Sequence, residues 1–584
     1  MRQFTCFLKK NAPKKCSTSF HCLKKGAKIE YLFIYLRKGI KMTLKIPLKY
    51  RPPLYFIILY LLLVSTSGFC TTVRYIITPN LQENALDIEL IFPGNDPSHY
   101  YILPSWTKKP FPEITDIKAR VEESRSKKKK SSDKEAKDVI VTYRLKTPNH
   151  QLQQDQRDEE FEIDHTHFRF TGSHLIIPSK INWKKNIAIK IEWKGIPAEW
   201  VIANSFDIHQ TSQTLITSLS SLQTALFVGG EFDVFRWSRE ESTPYVVVKK
   251  SDKLSGESLL PLLQGIVESQ RTFWNDYHFP HSIMAIFPTT AQHPFHAQAH
   301  RNAFIAFLPP FVDNEYQWAS ISQVLAHEYF HTWVPYKMMP EVPPDFDSLS
   351  WFSEGFVDYY SILLNYRAHI LSPTQCINEI NRVLYAYYTS PFRNVNNARL
   401  AQERYSGSMA MRLLPYQRGC LLALLWDAKI QQKTNGANTL DNVMLLLLQM
   451  TQDTGKPYSQ AMIEELVGIY IGAQTAANDL QAHIIEGKTL VPPELLFGKK
   501  TSIRWMEDVG FQLIETKATG YIQGIEKERG AYKAGLRNGQ VFRKIHRSEN
   551  GMYHVAIIER GVERLISFPA DGKDPIPQYV VPTD

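Results

Sequence analysis

The sequence predicts a multidomain protein. A basic leader precedes an all-β sandwich, an α+β domain with a helical C-terminal part, and a small β domain at the end. Three observations carry this. The chain has 584 residues, 43% of them apolar and 22% charged, which is a globular balance and more than one hydrophobic core accommodates. The apolar period is near two up to about residue 205, helical from the 320s to about residue 473, and near two again after about residue 495. Where strands give way to helices in the middle part stands one unusual run, A-H-E-Y-F-H-T-W at 326–333.

Residues 1–70 hold fourteen of the 68 Lys and Arg against a single acid, Glu30. The net charge of +10 therefore lies in the leader and the rest is slightly acidic, which leaves no electrostatic case for nucleic-acid binding. Lys45, Lys49 and Arg51 precede an uninterrupted apolar run at 54–64, followed by Ser65, Thr66, Ser67 and Gly68. Basic, apolar and small, in that order, is the layout of a secretory signal, so export is expected. Extending the apolar run to Cys70 gives the alternative, an uncleaved membrane anchor. Met42 would start a signal of ordinary length, and residues 1–41 are expected to be either an over-extended start or unstructured. Four of the six cysteines lie in the leader; Cys376 and Cys420 remain, and neither has metal-site spacing.

Residues 71–205 read as the sandwich. Short alternating runs rich in β-branched and aromatic residues fall at 73–77, 86–91, 139–145, 161–170 and 187–193, separated by Pro, Asn and Gly. Lys127–Lys130 sits between strands and reads as a solvated loop, with a polyanion or membrane-surface contact as its functional alternative.

Residues 206–492 read as the α+β domain. Strands are expected at 245–249, 283–287 and 304–308, with a helix at 257–277 between the first two and helices at 376–388, 413–430, 440–450 and 460–473 afterwards. On a helix His327 and His331 stand one turn apart on the same face, the spacing at which two imidazoles reach one tetrahedral zinc. Glu328, one step round the helix, faces the coordination position left open for water. Downstream, W-F-S-E-G-F-V-D-Y-Y at 351–360 offers Glu354 as third ligand, a His₂Glu set. Asp358, one turn on, is a candidate partner for the second N–H of a ligating His, and Asp427 is a weaker one. Tyr416, in P-Y-Q-R-G at 415–419, is either a hydrogen-bond donor to the negative charge that builds on an attacked carbonyl or a packed helix-start tyrosine.

Residues 493–584 return to short strands and turns. V-G-F-Q-L at 509–513 and Y-K-A-G-L-R-N-G-Q-V at 532–541 resemble the carboxylate loop with its strand, and the helix with its turn, of a PDZ domain. Such domains capture peptide C-termini by strand addition.

Taken together these motifs resemble the glycyl aminopeptidase family of zinc metallopeptidases, relatives of the gluzincin aminopeptidases. That family has an H-E-[FY]-[FL]-H-x-W helix, then W-x-S-E-G-F-x-x-Y-Y, then Y-x-[KR]-G before a long helix, and a PDZ-like domain at the end. All four occur here in order. The resemblance implies a thermolysin-like catalytic domain, zinc at His327, His331 and Glu354, Glu328 as general base and acid, Tyr416 as oxyanion donor, and a peptide or protein substrate. One departure stands out. Where the family has G-G-L-E-H-R-N-S, this chain has H-A-Q-A-H-R-N-A at 296–303. His300 and Arg301 survive as candidate cleft residues, but Ala299 replaces the Glu that holds a substrate's free amino group in the related aminopeptidases. An aminopeptidase-like activity is expected, with an endopeptidase or a peptidase tolerant of blocked N-termini as the alternative. A peptide-binding, chaperone-like protein is the reading outside enzymology.

Overall fold

The computed structural model describes residues 72–101, 112–123, 137–147, 161–240, 242–251, 254–277, 283–289, 296–309, 315–339, 346–405, 409–513, 516–517, 520–571 and 575–580, together with three strands in the leader. Residues 1–70 are a unit of their own. Its strands Phe20–Cys22, Ile29–Tyr35 and Lys41–Pro47 form an antiparallel sheet, so residues 1–41 are not wholly without structure as expected. The apolar run at 54–64 and the lysine run at 127–130 lie outside the described residues. Among the described residues no helix is long and apolar enough to cross a membrane.

In the second unit the expected strands at the start are present and form two sheets. A six-stranded sheet runs in the order Ser212–Thr217, Ile187–Trp193, Thr72–Asn80, Ala85–Pro93, Lys137–Lys146, Glu113–Glu123. A five-stranded sheet follows with Asp207–Ile208, Val201–Asn204, Leu226–Gly230, His167–Thr171 and Glu162–Ile163. Val73, Tyr75 and Ile189 of the first meet Phe168, Phe170 and Phe227 of the second in one apolar core. The β layer runs on to Gly230, so the boundary expected near residue 205 moves beyond that strand.

A third sheet, also five-stranded, opens the α+β part. Its strands are β1 (Phe232–Phe235), β2 (Tyr245–Lys249), β3 (Ile283–Pro288), β4 (His296–His300) and β5 (Ala303–Leu308), in the order β1-β2-β3-β5-β4. β2, β3 and β5 are parallel; the edge strands β1 and β4 are antiparallel to their neighbours. Helix α1 (Gly256–Trp274) makes the crossover that a parallel β2–β3 pair requires. Burial on both faces explains why the central strands read I-M-A-I-F and A-F-I-A-F-L without alternation. Ile283, Ala285, Ile305 and Phe307 pack on Ala203, Leu226 and Val228 of the preceding sheet, and the intervening Met284, Ile286, Phe304 and Ala306 face the helices.

The helices are α2 (Glu315–Phe330), α3 (Ser350–Ser353), α4 (Gly355–Arg367), α5 (Pro373–Thr389), α6 (Asn397–Glu403), α7 (Met409–Lys433), α8 (Leu440–Thr454) and α9 (Gln460–Ile471). α5 starts on a capping box in which the Ser372 hydroxyl accepts from the Gln375 N–H. They share one large core with the inner face of the third sheet.

The C-terminal part departs from expectation. Strands β6 (Ile503–Met506), β7 (Val541–Arg547), β8 (Met552–Glu559), β9 (Val562–Pro569) and β10 (Ile576–Tyr579) are present, with β7-β8-β9 an antiparallel meander over a small core of its own. Residues 509–513 do not form the strand expected of a PDZ-like domain. They are held by isolated bonds, Gln512 N–H to Gln523 O at 3.0 Å and Glu526 N–H to Gly510 O at 3.0 Å. β10 leaves this part to pair with β6, and the Asn381 side chain on α5 brackets Tyr579 by donating to its carbonyl at 2.9 Å and accepting from its N–H at 2.7 Å. Ile576 and Tyr579 belong to the helical core, so the boundary at 492 does not separate two independent bodies.

Candidate metal centre and active site

α2 is held at its back. The Gln270 amide on α1 donates to Ala326 O at 2.7 Å, Arg271 Nε to the Tyr329 hydroxyl at 3.1 Å, and Asn365 Nδ2 on α4 to Ser322 O at 3.0 Å. These fix the rotation of the helix, and the face opposite carries His327 and His331. Both imidazoles have one nitrogen engaged. His331 Nδ1 lies 2.7 Å from the Val334 carbonyl, which can only accept, so that nitrogen carries the proton. His327 Nδ1 lies 2.8 Å from Asp358 Oδ1, the role expected for Asp358. Both Nε2 atoms are then lone-pair acceptors, and they converge to 3.0 Å. Glu354 Oε2 lies 3.5 Å from each of them.

Three acceptors with no donor between them repel one another unless a cation sits at their centre. Zinc bonds of about 2.1 Å in a tetrahedron space their donors about 3.4 Å apart, close to what is seen here. His327, His331 and Glu354 therefore fit a His₂Glu metal site, their ligand atoms all within 4.8 Å of one another. The cluster also draws protons. Burial lowers the basicity of His327, yet Asp358 and Glu354 raise its pKa well above the ordinary value. Burial likewise raises the Glu354 carboxyl, but the two imidazoles hold it well below the carboxylate range.

Glu354 reaches this point because the helix breaks at it, with φ −109° and ψ −50° between α3 and α4. The break is packed backbone to backbone on α7. A methyl on Gly355 would lie 2.3 Å from the Gly419 Cα, and one on Gly419 would lie 1.7 Å from the Trp351 carbonyl oxygen. This contact explains both the E-G and the R-G of the two motifs, and it brings Tyr416, one turn before Gly419, to the metal helix. The Tyr416 ring stacks on His327, centroids 5.6 Å apart and planes inclined by 20°. Arg418 is fully buried and donates to the Arg393 and Val395 carbonyls at 2.9 and 2.6 Å, so its part in the motif is to hold that loop. Glu328 is half-buried beside the ligands, and burial raises its pKa.

The remaining candidates are placed differently. His300 ends β4 and is buried, and Arg301 occupies the β4–β5 turn. Arg301 Nε donates to Thr224 Oγ1 at 3.3 Å and its guanidinium lies over the Tyr336 ring at 5.7 Å, tying the hairpin to the preceding layer. Neither joins the ligand cluster. The Ala299 carbonyl accepts from the Tyr336 hydroxyl at 3.1 Å, so position 299 lies beside the turn that follows His331 and presents a methyl there. Asp427 is not a histidine partner. It accepts from the Tyr359 hydroxyl, the Gln431 amide and the Leu440 N–H at the start of α8.

Two residues were missed. Gln323, one turn before His327, donates to Asp358 Oδ1 at 2.9 Å and to the Ser361 hydroxyl at 3.1 Å, which orients the carboxylate. Its i−4 spacing from His327 was the available signal. Arg404, just past α6, is 3% exposed and stands beside Glu354, its Nη2 4.0 Å from Oε1. No local pattern marks it. A second set, Glu162, Asp164 and His167, also brings three ligand atoms together, but Arg169 and Lys249 already contact it.

This fold, with a donor set that fits a metal, is consistent with a metallopeptidase. Residues 320–434 match the model of the M61 glycyl aminopeptidase family, the family that the motifs of this chain resemble. No curated protein matches the chain in sequence. Among solved structures, an aminopeptidase N family protein from Idiomarina loihiensis is similar with TM-score 0.63 at 13% identity, covering 87% of this chain and 98% of that one. An M1 zinc metallopeptidase from Deinococcus radiodurans, a mutant bound to a Tyr-Ser-Ala substrate, aligns at 13% identity and TM-score 0.41 over 72% of this chain and 94% of its own. Yeast LTA4 hydrolase aligns at 10% identity and TM-score 0.44, over 72% and 68%.

Proposed function

We propose that the protein is an exported zinc peptidase that uses His327, His331 and Glu354 as metal ligands and cleaves peptide bonds. The observation that carries this is the convergence of two imidazole Nε2 atoms and a carboxylate oxygen beside a half-buried carboxylate, Glu328. When bound, zinc would polarise the scissile carbonyl and activate water. Glu328 takes the proton from the attacking water and returns it to the leaving amine. Its raised pKa supports that role, because a base nearer neutrality both accepts and releases a proton. The Tyr416 hydroxyl donates to the oxygen of the attacked carbonyl, and among the described residues it has no hydrogen bond to give up. Asp358 holds His327 in the tautomer that presents Nε2. The basic, apolar, small order of residues 45–68 supports export. Peptide C-termini at the C-terminal part belong to this reading through β9, an outer strand of its meander.

Ala299 favours a second version of the same chemistry. With a methyl where an amine-binding carboxylate stands in the related aminopeptidases, cleavage within chains or next to blocked N-termini becomes open. Digestion of a defined peptide mixture, with N-acetylated copies and the Glu328→Gln form alongside, separates the readings by mass spectrometry. Residues lost singly from free N-termini mean an aminopeptidase; cuts indifferent to acetylation mean the altered specificity. Glu328→Gln is expected to keep zinc and lose turnover by several orders of magnitude. Cleavage no faster than by that variant would refute the peptidase reading in favour of peptide binding.

A further inference from the structure

Arg404 is a buried cation whose side chain has no partner at hydrogen-bond distance among the described residues. Its side chain is 3% exposed, yet Glu354 Oε1 and Asp347 Oδ1 stand 4.0 and 3.9 Å away, against about 2.8 Å for a charge-assisted hydrogen bond. Its Nε is enclosed and has no partner among the described residues. The Tyr405 ring lies 4.7 Å from the guanidinium carbon. An enclosed N–H left unmet away from water is costly, and the guanidinium has further donors to offer a ligand. Arg418, equally buried, differs in that its Nη2 donates to two carbonyls, whereas no Arg404 side-chain nitrogen has such a bond among the described residues.

The position of Arg404 decides what the missing partner is. Glu354 turns Oε2 to the two imidazoles and Oε1 towards Arg404, so the guanidinium lies directly behind a metal ligand. Asp347 is 45% exposed on its other side, free to stay in water. By the family resemblance the amine-holding position is 299, and Ala299 offers no carboxylate there. Arg404, by contrast, offers a planar cation to an anion.

We propose that Arg404 is a specificity-determining residue that receives a carboxylate of the peptide substrate, either the C-terminal carboxylate or an acidic side chain close to the scissile bond. The fork of the guanidinium matches a carboxylate in two parallel bonds, which lysine does not reproduce. The proposal rests on the peptidase reading for the identity of the ligand, not for the existence of the site.

The test is calorimetric binding to the zinc-loaded, full-length Glu328→Gln protein, which separates recognition from turnover. The probes are Ala-Ala-Ala as free acid, its C-terminal amide, and the amide of Ala-Asp-Ala. One of the two carboxylate-bearing peptides is expected to bind at least tenfold tighter than Ala-Ala-Ala amide, and which one names the source. Arg404→Met is expected to erase that preference with unchanged zinc content, and Arg404→Lys to restore it only in part. Equal affinity for all three peptides overturns the proposal without needing any Arg404 variant. So does a preference that survives in Arg404→Met, or an Arg404→Met protein that loses zinc while keeping the preference, which would make Arg404 a positioning residue for Glu354. Absence of cleavage by the wild-type enzyme in the digestion above, with the carboxylate preference intact, would instead refute the peptidase reading alone.

Discussion

Gly419→Ala is the perturbation whose consequences follow most directly from the packing. The added methyl would stand 1.7 Å from the Trp351 carbonyl oxygen, 2.7 Å from its carbon and 2.9 Å from the Gly355 Cα. All three are main-chain atoms, so no side chain can rotate aside. Restoring ordinary contact requires α7 to move away from α3 and α4 by more than about 1 Å, within a close-packed core that resists it. The expected loss of stability is about 3 kcal/mol, at the upper end for overpacking because two helix backbones must part. The same shift would draw Tyr416 away from His327, and a misplacement of about 1 Å is worth about 100-fold in rate. Thermal unfolding and kcat/KM on any cleaved peptide measure the two effects, with zinc content as a control because the three proposed ligands are not on α7. Gly265→Ala on α1 is the matched comparison. Its methyl would meet only the Ile370 side chain, at 3.3 Å, and should be tolerated to within about 1 kcal/mol. A Gly419→Ala protein as stable as Gly265→Ala would refute the claim that this glycine contact sets the site.

Two other predictions follow from the networks behind the site. Asp358→Ala removes the carboxylate that orients His327 and should weaken zinc binding about 10- to 100-fold, read by competition with a chromophoric chelator; unchanged affinity would show that Gln323 and packing suffice. Glu162 governs acid stability where the sandwich meets the catalytic sheet. Burial alone would raise its pKa, but the His167 ring and the Arg169 guanidinium hold it at about 2, below the ordinary 4.5. A depressed carboxyl stabilises the folded state above its unfolded pKa, and the contribution is lost as pH falls from about 4.5 towards 2. Glu162→Gln should therefore flatten the fall in unfolding midpoint across that window, and an unaltered slope would exclude this network as its source.

How much of this was legible beforehand depends on the range of the interaction involved. His327, Glu328 and His331 share one helical turn, so spacing alone placed two imidazoles on one face. The E-G and Y-Q-R-G motifs could be matched to a family pattern, but the reason for their glycines is a contact between residues far apart in sequence. The central strands β2, β3 and β5 announced themselves as unbroken apolar runs because both faces are buried. Edge strands did not: β4 reads H-A-Q-A-H, with no β-branched residue, and exists because β5 offers it a ladder. The strand expected at 509–513 does have a neighbour at 523–526, but the isolated bonds between them do not build a ladder.

What the sequence by itself determined is the set of chemical groups and their local faces: the His₂Glu donors, the neighbouring base, and the loss of a carboxylate at position 299. Tertiary structure decided which groups meet. It turned Asp358 and Gln323 towards His327 and assigned Asp427 to the start of α8. It also tied Arg301 into the β layer and drew the C-terminal strand into the catalytic core. Arg404 came to rest, unmatched, behind Glu354. Periodicity records what a residue's own helix or strand demands within a turn or two. These other placements depend on which distant backbone segment approaches closely enough to touch, and in this protein the approach of Gly419 to Gly355 is the contact that assembles the site.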